Sequence, residues 1–263
     1  MNVVRATTAK AAAPILAVAV VCARLLLAPS AVAGKTCPEG MASIDGAFCI
    51  DRFEASLVEL DKEGRVLRRH SPFLPVEKNR VRAVSVKDAF PQGYISMREA
   101  SAACREAGKR LCKDDEWITA CEGKPSTTYP YGDEHVAGYC NDNGISPLRA
   151  LHPRMRERGT FAWNKMNDPR LNQIPGSLAK SGSFNKCRNA YGVYDMIGNL
   201  HEWTADRSGT FRGGFYLDNT THGIGCIYRA TGHSPIYRDY STGFRCCADT
   251  QHQGDKAEAA SKG

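Results

Sequence analysis

Several signatures of metal and redox chemistry are missing from this 263-residue chain. No two cysteines stand in a Cys-x-x-Cys pair, which makes a structural zinc site a poor reading. There is no His-Glu-x-x-His and no tight cluster of histidines with carboxylates, so the zinc-peptidase pattern is absent too. Internal repeats are lacking, which argues against a solenoid or propeller. Positive charge is not gathered into blocks: the formal net charge is +7, but its longest local concentration, "RVLRRH" (65–70), reads as a solvated hairpin rather than a phosphate groove. Nucleic acid is therefore not an expected partner. A long apolar run is missing as well, since Arg24 interrupts the segment that starts at Ala11 and leaves it too short to span a bilayer. No lipobox precedes Cys37.

What is present at the N-terminus has the order of an export signal. Arg5 and Lys10 give a positive start, Ala11 to Ala23 is almost wholly apolar, and Ala31-Val32-Ala33 supplies small residues for cleavage before Gly34. Residues 1–33 are read as a signal peptide, which implies a secreted or periplasmic protein that is not integral to a membrane once cleaved. Cleavage removes Arg5, Lys10 and Arg24 and no acid, taking the charge from +7 to +4. It also removes Cys22, leaving ten of the 11 cysteines. An even number in an exported chain argues for disulfides. Cys37 and Cys49 flank a turn at Asp45-Gly46 between two expected strands, so a local bridge between them is predicted.

Along the chain, only two segments carry convincing helix signals. Ser96 and Glu99 form a capping box, and Ala100, Ala103, Cys104 and Ala107 then fall on one face before the stop at Gly108. A second helix is predicted from Asp114 to Glu122, with acids in its first turn and Gly123 after it. Residues 125–189 read as loop, too long to hold its shape without disulfides or bound ions. Short strands with glycine turns follow to Cys247. The segment 250–263 has no core residues and reads as a disordered tail. One domain is expected over residues 37–249.

The ordered segments "CIDRFEAS", "YISMREASAACREAGKRLCKDDEWITACEG", "YPYGDE", "NAYGVYDMIGNLHEWTAD", "FRGGFY" and "STGFRC" together resemble the sulfatase-modifying-factor, or formylglycine-generating enzyme, family. The resemblance implies a compact, loop-rich α+β fold related to C-type lectins, with two main helices, short strands and structural calcium. It implies that the turn "DMIGNLHEW" holds one ion through the side chains of Asp195 and Glu202 and the carbonyls of Gly198 and Leu200. The reading against it is a capped turn with Trp203 as a core anchor. Asn141 and Asp142 are the nearest match to a second calcium site. His201 stands where the family has an apolar or aromatic residue, and reads as packing or surface rather than as a catalytic base. The matching family cysteines imply a bridge between Cys104 and Cys246.

Catalytic members of the family hold copper(I) between two thiolates and convert a substrate cysteine to formylglycine. In this chain those two positions fall at Asp218 and Gly225, with Cys226 one residue away, so copper is not expected. Cys226 is the candidate catalytic thiol of a divergent oxidase. The competing reading makes it half of a disulfide with Cys112, Cys121, Cys140 or Cys187. The expected function is a binding or accessory protein for an exported or envelope protein, peptide or glycan. Its cleft would draw on Tyr216, Asp218, His222, Arg229, His233 and Arg245. A purely structural surface protein is a third reading.

Overall fold

The computed structural model describes residues 35–154 and 163–252. The expected signal peptide, residues 1–33, lies outside the described residues, as does the tail from 253 onward. The first half is strand-rich: β1 (Lys35–Thr36), β2 (Met41–Ile44), β3 (Phe48–Asp51), β4 (Ala55–Leu60), β5 (Val66–Arg69) and β6 (Val81–Ser85). Helix α1 (Met97–Glu106), strand β7 (Arg110–Leu111) and helix α2 (Asp114–Glu122) follow. Two short helical pieces, α3 (Pro147–Leu151) and α4 (Trp163–Met166), interrupt the long loop. The chain then finishes with β8 (His201–Trp203), β9 (Phe211–Arg212), β10 (Arg229–Ala230), β11 (Thr242–Phe244), β12 (Cys246–Asp249) and β13 (Gln251–His252). The architecture is a loop-rich α+β fold with two main helices.

The two helices begin and end where local chemistry dictates. The Ser96 hydroxyl accepts from the Glu99 N–H at 3.3 Å, and the Glu99 carboxylate accepts from the Ser96 N–H at 2.8 Å. Two backbone donors with no helical partner are thereby satisfied. Ala100, Ala103 and Cys104 are buried on the inner face of α1, where small side chains let the helix lie close to β6. At the far end of each helix a glycine takes positive φ, Gly108 at 66° after α1 and Gly123 at 69° after α2.

Strand order explains how distant segments meet. One sheet runs β2-β3-β12-β7, so the C-terminal strand β12 lies between the N-terminal hairpin and the link between the helices. A second sheet runs β10-β9-β8-β11, with β8 and β11 parallel. The hairpin β4–β5 and strand β6 form a third, in the order β5-β4-β6. Finally β13 pairs antiparallel with β1, so the fold reaches past the boundary at 249 and the first residues of the expected tail are strand.

All ten cysteines of the described residues are paired: Cys37–Cys49, Cys104–Cys246, Cys112–Cys247, Cys121–Cys226 and Cys140–Cys187. Because successive side chains of a strand point to opposite faces, neighbouring Cys246 and Cys247 reach different targets. The first ties β12 to α1, and the second ties it to the residue that follows β7. The long loop is fastened by Cys140–Cys187. Trp117 and Trp203 are fully buried in two adjoining apolar clusters. Trp203 packs edge-on against Phe211 at 5.0 Å between ring centres and donates from its indole N–H to the Ile95 carbonyl at 2.9 Å. Such an aromatic pair adds about 0.5–1.5 kcal/mol beyond its area burial. Among the described residues no helix is long and apolar enough to cross a membrane.

Candidate functional site

The turn before β8 requires three residues at positive φ, Asp195 at 55°, Gly198 at 79° and Asn199 at 55°. Asp and Asn tolerate this region because their short polar side chains bond locally. Position 198 accepts glycine alone, because a Cβ there would lie 2.2 Å from the Asn141 carbonyl oxygen. Asn199 is clamped on both sides: its side-chain carbonyl accepts from Asn141 Nδ2 at 2.9 Å and from the Ala179 N–H at 3.0 Å, while its amide donates to Glu54. Glu54 also accepts from the Leu200 N–H at 3.1 Å.

Behind the turn is a buried charge cluster. The guanidinium of Arg245 donates to both oxygens of Glu202, at 2.6 Å from Nε and 2.5 Å from Nη2, and further to the carbonyls of Asp51, Tyr194 and Asp195. Trp117 donates its indole N–H to the same carboxylate at 2.7 Å. Asp195 accepts from the Gly182 N–H at 2.6 Å. Three buried carboxylates, Glu54, Asp195 and Glu202, thus lie in the field of one guanidinium, which hydrogen-bonds the Glu202 carboxylate alone. Burial, with Asp195 and Glu202 close by, pushes the Glu54 carboxyl well above its ordinary range. Burial also pushes Asp195 up to about 7, against the pull of Gly182 and Arg245.

The expected second group is joined to the first. The Asn141 carbonyl accepts from the Asn199 N–H at 2.7 Å. Asp142 is buried, and its Oδ2 accepts from His135 at 2.8 Å and Asn219 at 2.7 Å. Its Oδ1 is sealed from solvent with no hydrogen-bond partner among the described residues.

The expected cleft residues divide. Arg245 is corrected: it is 0% exposed, because all three of its nitrogens find partners in the Glu202 carboxylate and three carbonyls, so it is an interior ion rather than a cleft residue. Tyr216 is likewise 0% exposed and donates to Asn172 at 3.1 Å, inside a cluster with Tyr94 and Tyr240. Asp218 and His233 are half-buried, and His222 and Arg229 are exposed. Arg229 pairs with Asp206 at 3.1 Å. The Asp218 carboxylate closes its own loop, accepting from the Thr220 N–H at 2.9 Å and the Thr221 N–H at 3.1 Å. Burial alone raises this carboxyl, but those hydrogen bonds outweigh it and hold it below the usual range.

His201 is buried, as a packing residue is. Its ring lies between Phe211 at 4.4 Å and Phe215 at 4.8 Å, with Nδ1 against the Ser241 hydroxyl and Nε2 against the Tyr228 hydroxyl, both at 3.1 Å. Burial pushes its pKa down to about 3, so it stays neutral. The 3-10 turn Gly225–Ile227 carries Cys226, which is 1% exposed and bonded to Cys121. As a candidate catalytic thiol it is not free in this structure. Gly225 sits at φ 60°, and a Cβ there would lie 2.1 Å from the Thr128 carbonyl oxygen. Sequence reasoning missed Glu54, Trp117 and Tyr228, whose roles depend on partners far along the chain.

A loop-rich α+β domain stapled by disulfides, with a Gly-Asn turn held over a buried Glu–Arg pair, defines the class. Residues 38–250 match the family model of the sulfatase-modifying factor enzyme 1-like domain, and the chain belongs to that family. It is 25% identical over 188 residues to the inactive C-alpha-formylglycine-generating enzyme 2 of Bos taurus, covering 60% of this chain and 50% of that protein. It is 26% identical over 198 residues to the formylglycine-generating enzyme of Mycobacterium tuberculosis, covering 63% and 60%. The chain thus spans about half to three-fifths of the length of these relatives. Among solved structures, PvdO from Pseudomonas aeruginosa aligns over 77% of this chain and 80% of its own, with 16% identity and a TM-score of 0.45.

Proposed function

We propose that this is a non-catalytic member of the family, exported, that acts as an accessory or binding protein for a peptide or glycan at the surface around His222, Arg229 and His233. One observation carries the reading. Where the family's copper thiols fall, this chain has an aspartate engaged in closing its own loop and a glycine whose site cannot hold a side chain, and neighbouring Cys226 is in a disulfide. Copper(I) needs compact soft ligands. A relative named as inactive is among the similar proteins, which agrees with this reading. The disulfides favour an oxidising compartment.

Calcium belongs to the same proposal. The surplus of buried carboxylates over Arg245 fits a hard cation with oxygen ligands, to which Asp195 and Glu202 would contribute side chains and Gly198 and Leu200 carbonyls, with Asn141 and Asp142 at a second position. Glu202 is already matched by Arg245 and Trp117, so the surplus falls on Asp195 and Glu54, whose carboxyls burial pushes toward the protonated form when no ion is bound. A bound calcium would neutralise that surplus.

The deciding experiment supplies the purified protein with copper and a cysteine-containing peptide, and follows aldehyde formation by mass spectrometry. No turnover is expected, together with ten cysteines resistant to alkylation in the denatured, unreduced exported chain. Aldehyde made by the wild type and lost in Cys226→Ser would replace this proposal with the divergent oxidase.

A further inference from the structure

His201 stands in a row of hydrogen bonds whose protons can be counted. Asp239 is buried, and three donors converge on its carboxylate. The Ser241 N–H and hydroxyl reach Oδ1 at 2.8 and 2.7 Å, and the Tyr237 hydroxyl reaches Oδ2 at 2.5 Å. Burial raises this carboxyl, and those donors oppose the shift. Ser241 has one hydroxyl proton, and Asp239 takes it. Toward His201 Nδ1, 3.1 Å away, the Ser241 oxygen is therefore an acceptor, so Nδ1 carries the proton of the neutral ring. Nε2 is then bare and accepts from the Tyr228 hydroxyl, also at 3.1 Å.

That uses the single proton of Tyr228. Its oxygen also lies 3.4 Å from Asp218 Oδ2, and no proton is left for that contact. The loop donors do not supply one, because the Thr220 N–H, the Thr220 hydroxyl and the Thr221 N–H all reach Oδ1, at 2.9, 3.2 and 3.1 Å. Two oxygens that can only accept thus face each other beside the exposed ring of His222, which stands edge-on to Tyr228 at 5.6 Å. Tyr228 is 1% exposed and Asp218 half-buried. Acceptors drawn together away from water are unfavourable unless a donor lies between them.

We propose that Asp218 Oδ2 and the Tyr228 oxygen together hold the ammonium group of a lysine side chain in a peptide segment of the partner. This rests on the reading of the His222 surface as a binding site, and names what that site recognises. A hydroxyl brings one proton to two oxygens and no charge to oppose Asp218. The planar fork of a guanidinium matches the two oxygens of one carboxylate better than oxygens from separate residues. A primary ammonium carries its charge and three protons on one atom. The segment between His222 and Tyr228 also exposes Ile224 and Ile227, by 52% and 61%, which suits the apolar side chains of a polypeptide better than the hydroxyls of an amino sugar.

The test offers the full exported chain a synthetic library of hexapeptides with acetylated and amidated ends, so that lysine side chains are the only primary amines. Arginine and Nε-acetyl-lysine are included among the building blocks, and a glucosamine tetramer is tested alongside. Lysine should be enriched at one position. The enriched peptide, resynthesised, should bind the wild type at least about tenfold more tightly than its Nε-acetyl-lysine form, a comparison that needs no variant to fold. Asp218→Asn should bring the two forms level, and Tyr228→Phe should narrow the gap between them. Enrichment of peptides without lysine, equal binding of the acetylated form or a preference for arginine overturns the proposal. Tighter binding of the glucosamine tetramer overturns the choice of a peptide. In each of those cases, binding that is lost in His222→Ala leaves the reading of the surface standing. If neither peptides nor the tetramer bind, that reading falls as well.

Discussion

Arg245 and Glu202 form a two-pronged ion pair sealed from water, with side-chain exposures of 0% and 1%. The pair also receives the indole N–H of Trp117, so β8, α2 and the approach to β12 meet on one carboxylate. Removing one partner leaves the other as an uncompensated buried charge. Glu202→Gln or Arg245→Met is expected to lower stability by about 3–5 kcal/mol. The double variant should recover part of that loss, because both members of the bidentate pair are removed together. Denaturant melts of the four proteins test this, and a double variant as unstable as the sum of the singles would refute it.

Calcium removal is expected to lower the melting temperature of the wild type. A ligand present at ~100 times its dissociation constant stabilises the fold by about 2.7 kcal/mol. Glu54→Gln removes one carboxylate of the surplus and should reduce the calcium effect without removing Arg245's partner. Scanning calorimetry with and without chelator measures both. An unchanged wild-type melting temperature on chelation would exclude calcium from this turn.

Placing a thiol at Gly225, the position proposed to correspond to a copper thiol, is expected to fail. Gly225→Cys places a Cβ against the Thr128 carbonyl at a backbone φ of 60°, and strain of this kind costs on the order of 1–3 kcal/mol per residue. The variant should melt lower than wild type and show no copper-dependent turnover. A stable, copper-binding Gly225→Cys protein would mean that the turn yields more easily than its geometry indicates.

Acid should weaken the loop between β8 and β9 and its tie to Arg229 of β10. Asp206 accepts from the Thr210 hydroxyl and the Ser208 N–H and pairs with Arg229, and these hold its pKa down to about 2. Its folded pKa lies below the unfolded value of about 3.9. The native state therefore binds fewer protons between the two values, and this contribution is whole above about pH 4 and lost as pH falls through about 2. Melts from pH 5 to pH 2 should fall less steeply for Asp206→Asn than for wild type, and parallel curves would remove Asp206 from the account.

Replacing Cys104 and Cys246 together by serine is expected to cost about 2–5 kcal/mol, since the bond closes a long loop. The bond spans 142 residues. Unfolding free energies of the oxidised double variant check the value.

Local chemistry was readable before any coordinates. The Ser96–Glu99 box acts over three residues, and the acids of α2 and the glycines after both helices act within one turn. Motif spacing also indicated the Gly-Asn turn. The residues that hold that turn were not readable, because Glu54 reaches Asn199 from 145 positions away and nothing near Glu54 signals a buried acid. Arg245 and Tyr216 were misread for the opposite reason: both side-chain types usually seek water, and only a partner across the core reverses that preference. Cys226 had four named alternatives for a bond, and the fold selects Cys121 because α2 ends beside the turn that carries Cys226.

The adjacent pair Cys246–Cys247 has a consequence for biosynthesis. Its two bonds close loops of 142 and 135 residues, so loop entropy distinguishes the correct partners from the exchanged ones by less than about 0.1 kcal/mol. Only the alternating pleat of β12 tells the two thiols apart. Correct oxidation must therefore follow docking of β12 between β3 and β7. Oxidation before that docking would scramble the two bonds, and such molecules would need thiol–disulfide exchange to reach the native pairing.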